Sequence, residues 1–126
     1  MYESITTNIM VKSVEDTLDF YINKLGFVKV LSVPMEGDVF DFAIVKKDNM
    51  AIMFQEQNNL EEEYPTLKVD EIKPTFTLFI TVKNVNDVYL ELKDKVDIAK
   101  DPHKTFYGKD EFAIFDNNGN ILTISA

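Results

Sequence analysis

The chain has 126 residues, 45% of them hydrophobic, with a formal charge of −9, one histidine and no cysteine. That length fits one domain, or two small modules sharing a core, and the apolar content excludes a disordered chain. The acidity argues against nucleic acid, whose phosphates need a basic surface, and suits either a solvated surface or the attraction of cationic ligands. The lack of cysteine removes disulfides, thiolate nucleophiles and zinc–sulfur sites together. No apolar run approaches the roughly 20 residues that span a bilayer, and the first residues show no basic-then-apolar leader. No membrane partner is therefore expected, and the expected location is cytoplasmic.

Residues 5–11 alternate, with Ile5, Ile9 and Val11 on one face and Thr6, Asn8 and Met10 on the other, the period of a strand. Ser13 opens a helix predicted over 14–25, with Asp16 three residues on as an imperfect capping box. Val14, Leu18, Tyr21, Ile22 and Leu25 make its apolar stripe, and Gly26 ends it. Strands are predicted at 27–33, closed by Pro34, at 39–45 and at 50–56, the last two a hairpin around Lys47-Asp48-Asn49. Residues 57–74 turn polar and acidic and are expected to form a linker with one helical turn, a length typical of lids and binding loops.

The plan then repeats. In a strand over 76–82, Phe76, Leu78, Ile80 and Val82 share one face and Thr77, Phe79 and Thr81 the other. Asn84 caps a helix predicted over 85–94, with the stripe Val85, Val88, Tyr89 and Leu92. Strands are predicted around 96–99 and over 106–115, and the turn from Asp116 to Asn120 leads into a last strand, 121–125.

The repeat is visible in residues too. Asp41-Phe42-Ala43-Ile44-Val45 and Glu111-Phe112-Ala113-Ile114-Phe115 lie 70 positions apart, and Val11 and Val82 end their strands 71 positions apart. An α+β domain of two βαβββ modules follows, module 1 at 1–56, the linker at 57–74 and module 2 at 75–126. Each module alone has too little core, so two must pair, within one chain or by exchange between two.

Three segments carry a resemblance to a known family. Val14 to Tyr21 with Leu25-Gly26-Phe27 matches an opening helix usually ending in FY…LGF. Ile52 to Glu56 is similar to a fourth strand, and Thr105-Phe106-Tyr107-Gly108 with Glu111-Phe112 and Asp116-Asn117-Asn118-Gly119-Asn120 to a closing hairpin, commonly WG…EF…DPDGN. Together they resemble the vicinal-oxygen-chelate superfamily of glyoxalase I, bleomycin-resistance proteins, fosfomycin-resistance enzymes and extradiol dioxygenases. Asn117, where the family usually has proline, is a departure confined to the turn. The resemblance implies a cup-shaped mixed sheet with the helices on its outer face, and homodimers.

Metal-dependent members of that superfamily place His, Gln or Glu at four cup-facing positions, which align here with Thr6, Ala51, Thr77 and Thr123; a slip of two residues would put Met53 in place of Ala51. None offers imidazole or carboxylate to a divalent cation, so neither metal nor other cofactor is expected. His103, after Pro102, is read as a surface residue. No GxSxG, GxGxxG or GxxxxGK[ST] pattern occurs. Glu56 or Glu111 would need its pKa raised by burial to serve as a base, and no catalytic residue is assigned.

The cup face combines Thr6, Asn8, Met53, Gln55, Phe79 and Thr123, apolar groups with a few polar anchors, as small-molecule sites are lined. These six are the expected ligand-binding residues, and Tyr107 joins them through the resemblance alone, standing where bleomycin-resistance-type members often have a ligand-facing tryptophan. The expected function is a metal-free protein of the glyoxalase/bleomycin-resistance type, related to antibiotic resistance, sequestering an aromatic or cationic compound. The alternatives are a lyase or isomerase working through a carboxylate or another metal site, and a non-catalytic dimeric interaction module.

Overall fold

Strand β1, Thr7–Val11, buries Ile9 and Val11 and leaves Asn8 exposed, as its alternation requires. It starts two residues later than predicted, with Ile5 fully exposed ahead of it. Ser13 follows in an extended conformation, and its hydroxyl accepts from the Asp16 N–H at 3.1 Å, capping helix α1, Val14–Asn23. The helix buries Val14, Leu18, Phe20 and Tyr21. It stops short of the predicted end because the chain turns back on itself. Gly26 N–H bonds the Ile22 carbonyl at 3.2 Å and Phe27 N–H bonds the Tyr21 carbonyl at 3.0 Å. Gly26 makes that reversal at φ +78, a left-handed conformation costly for any residue with a Cβ.

Three strands complete the first sheet: β2 (Val28–Val33), β3 (Phe42–Lys47) and β4 (Met50–Glu56). Their order is β1-β4-β3-β2, with β1 parallel to β4 and the other pairs antiparallel. Helix α1 covers one face, where Tyr21 packs its ring 5.5 Å from Phe27 and 4.8 Å from Phe54. Aromatic pairs at such separations contribute beyond the area they bury.

The segment expected to be a linker is largely folded. Glu56 accepts from the N–H groups of Asn58 and Asn59 at 2.8 and 3.1 Å and so caps helix α2, Gln57–Glu63, longer than the single turn predicted. Leu60 is buried on its inner side. A 3-10 turn, Pro65–Leu67, follows, and the Glu61 carboxylate accepts the Val69 N–H at 3.0 Å. The signal missed was Glu56, which reads as the end of a strand yet has the acceptor chemistry of a cap.

The structure, a computed structural model, describes all 126 residues, and the chain divides into two compact units, Met1–Ile72 and Lys73–Ala126. The second repeats the first. Strand β5 (Thr77–Thr81) leads to Asn84, which caps helix α3 (Val85–Leu92) by accepting the Asp87 N–H at 3.0 Å. Strands β6 (Ile98–Lys104), β7 (Asp110–Phe115) and β8 (Ile121–Ser125) follow. The order β5-β8-β7-β6, with β5 parallel to β8, is that of the first sheet position for position. Phe112, Ile114 and Leu122 are fully buried, with Tyr89 of α3 edge-on to Phe112 at 5.2 Å. Both sheets are mixed and both units are βαβββ, so the α+β class and the duplication hold.

The hairpin β6–β7 differs from expectation. Strand β6 runs on to Lys104 through Pro102, with two register shifts, and residues 105–109 form a turn instead of the start of a strand. An edge strand tolerates proline because its outward N–H has no partner to lose. Gly108, at φ +82, lets the turn close with its N–H on the Thr105 carbonyl at 3.1 Å.

Candidate functional site

In the first unit, strand register fixes what lies on the face away from α1. Asn8 stands beside Met53, Met10 beside Gln55, and Ile44 beside Met53. Thr6, Met10, Ile44 and Met53 are half-buried, Asn8 is exposed and Gln55 is buried. Gln55 organises this face. Its Oε1 accepts from Asn8 Nδ2 at 2.9 Å, and its Nε2 donates to Asn59 Oδ1 at 2.8 Å and to Glu63 Oε1 at 3.1 Å. Strands β1 and β4 thus connect to helix α2 through one amide, beside Met10, Met53 and Ile44 on the same face.

In the second unit, Phe79 of β5 stands beside Thr123 of β8, with 59% of its surface exposed. Tyr107 sits in the 105–109 turn, its ring edge-on to the fully exposed Phe106 at 5.0 Å. Its hydroxyl donates to Glu111 Oε2 at 2.6 Å, and Glu111 is only 6% exposed. Ser125 and His103 stand on either side of Glu111 across the sheet. The hydrogen bond from Tyr107 holds the Glu111 carboxyl below the ordinary glutamate range, with Ser125, His103 and Lys100 acting in the same direction against desolvation. The same bond raises the Tyr107 pKa above the ordinary tyrosine value.

Both candidate bases are thereby accounted for otherwise. Glu111 is a stabilised anion, the reverse of the raised pKa a base would need. Glu56 is the cap of α2. His103 lies in β6, half-buried, with Nδ1 2.8 Å from the Asp101 carbonyl.

Of the seven residues expected to bind ligand, Asn8, Met53 and Gln55 share one face with Thr6 at its edge, and Phe79 and Thr123 are neighbours in the other unit. Tyr107 is tied to Glu111 and not to either of these two. Asn59, Glu63 and Glu111 were not anticipated as members of these sites. Glu111 was legible only as a strand carboxylate in the closing hairpin and a possible base; Asn59 and Glu63 were hidden in an acidic run that reads as linker. A cavity of about 680 Å3 lies beside the start of α3 and includes Lys83, Asn84, Tyr89, His103, Asp110 and Glu111. None of the seven lines it, and both charge signs in its walls favour no ligand charge.

The positions that the resemblance aligns with metal ligands carry hydroxyls at Thr6, Thr77 and Thr123 and a methyl at Ala51. No cluster of three or more His, Asp or Glu side chains is placed to hold an ion. In neither unit do these side chains offer imidazole or carboxylate to a divalent cation.

Two βαβββ units, each with its helix on one face of a four-stranded mixed sheet, define a small α+β protein of the glyoxalase type. Residues 5–124 match the profile of the glyoxalase/bleomycin resistance protein/dioxygenase superfamily, and the chain belongs to that superfamily. It is 30% identical to the uncharacterized protein YurT of Bacillus subtilis (strain 168), over 95% of both chains. Among solved structures it is similar to TioX from Micromonospora sp. ML1 (TM-score 0.74, 12% identity, 98% of each chain covered). It is also similar to the bleomycin-binding protein of Streptomyces verticillus, crystallised with copper(II)-bleomycin (TM-score 0.68, 18% identity, covering 100% of this chain and 97% of that one). At those identities the structural likenesses speak to the fold.

Proposed function

We propose that this protein is a metal-free, homodimeric binding protein that sequesters a small aromatic or cationic compound on the helix-free faces of its sheets. The observation that carries this reading is the Asn8–Gln55–Asn59 amide chain, with Met10, Ile44 and Met53 as its neighbours on the same sheet face. Ordered polar groups beside apolar ones give a ligand both contact area and orientation. On the second unit, exposed Phe79 and half-exposed Tyr107 supply rings on which a planar ligand can stack. Over a cation such a ring contributes about 0.5–2 kcal/mol. The charge of −9 favours the approach of cations. Membership of a superfamily with a bleomycin-binding structural neighbour supports a sequestering role. Glu56 caps α2 and Glu111 is held as an anion, so neither carboxylate favours the enzymatic alternative.

The test is a thermal-shift screen of planar and cationic compounds on the parent, Met53→Ala, Phe79→Ala and Tyr107→Ala, with metal analysis of protein purified without chelator. Hits should weaken in at least one variant. Equal affinity in all three, or stoichiometric metal, would overturn the reading.

A further inference from the structure

A side-chain amide has nearly the same shape in either orientation, so its hydrogen-bond partners decide which end points where. Gln55 is 7% exposed and engaged at both ends, its Oε1 to Asn8 and its Nε2 to Asn59 and Glu63. Three of these four side chains are amides, which could all reverse together without losing a bond among themselves. Glu63 breaks that symmetry, because a carboxylate accepts and cannot donate. With Gln55 reversed, its Oε1 would face Glu63 Oε1 across 3.1 Å with no proton between the two oxygens. Glu63 therefore orients Gln55, and Gln55 orients Asn8. One N–H of Asn8 Nδ2 is given to Gln55, which fixes the amide's orientation, while its Oδ1, on an exposed residue, accepts no bond within the protein.

We propose that Glu63 sets the hydrogen-bonding polarity of this face, so that Asn8 offers its carbonyl oxygen and the site selects ligands bringing an N–H or O–H donor. This rests on the reading that small molecules bind here. Glu63 acts as a positioning residue: it reaches the ligand only through Gln55 and Asn8. Its helix, α2, follows β4 directly, so the selecting element is the segment that the sequence presents as a linker.

The polarity is testable without any ligand. In NMR spectra of the full chain, the Gln55 Nε2 protons should show cross-peaks to Glu63 Hγ and not to Asn8 Hβ. In Glu63→Gln, which keeps size and can donate, cross-peaks to both should appear. The selectivity is then tested with indole and benzofuran, rings of one shape with and without an N–H. One donor bond predicts that the parent binds indole about tenfold tighter, and Glu63→Gln should cut that preference to about threefold or less. An unchanged preference, or unchanged cross-peaks, in Glu63→Gln overturns the role of Glu63. Normal cross-peaks with neither probe perturbing Asn8, Met53 or Gln55 would instead sink the binding reading, and the selectivity with it.

Discussion

Glu111 shows how one side chain's partners decide its chemistry. It is buried on the helix-free face of its sheet, but the Tyr107 hydroxyl at 2.6 Å keeps it anionic instead of proton-seeking. Its folded pKa is below its unfolded one, so its contribution to stability is complete above the ordinary glutamate range and is lost as pH falls through the lowered value. Tyr107→Phe removes the main cause, and a carboxyl-carbon NMR titration should then find the Glu111 pKa moved upward, with a shallower loss of stability in acid. An unmoved pKa would assign the shift to Ser125, His103 and Lys100. At the other extreme stands Phe54, fully buried against Tyr21. Phe54→Ala should cost about 3–5 kcal/mol in urea unfolding, because the cavity it leaves adds to the lost burial.

At the scale of the elements, both long helices start with the same device. Ser13 and Asn84 each sit extended and accept an N–H three residues on. Ser13→Ala and Asn84→Ala should each cost about 1 kcal/mol, read as a shift in denaturation midpoint at constant slope. Gly26→Ala should cost about 1–2 kcal/mol, since an L side chain resists φ +78. The added Cβ would also meet Lys47 Nζ at 2.8 Å, displacing the end of a side chain that donates to the Leu25 carbonyl. Helix α2 was under-read for a different reason: Leu60 is the one apolar residue between 57 and 63, and no periodicity can be seen in a single residue.

At the scale of the whole molecule, strand β2 ends its sheet with Val28, Val30 and Val33 at least half exposed. Apolar edges of this kind are normally covered, and a second copy is the expected cover. Sedimentation at micromolar concentration should therefore report twice 14.5 kDa, and Val30→Lys with Val33→Lys should return it to the monomer mass. A parent monomer would refute the dimer and leave the fold intact. No helix is long and apolar enough to cross a membrane. The sequence by itself determined the duplicated βαβββ plan, the caps Ser13 and Asn84 and the buried faces of β1, β4 and β8. These follow from periods of 2 and 3.6 residues and from capping chemistry, which act over a few neighbouring positions. Only the tertiary structure decided that Gln55 joins Asn8 to Asn59 and Glu63, that Tyr107 holds Glu111 ionised, and that the acidic segment after β4 is a helix. The reach of Gln55 back to Asn8, 47 positions away, depends on β1 and β4 lying side by side, and hydrogen bonds of that kind leave no periodic trace in the chain.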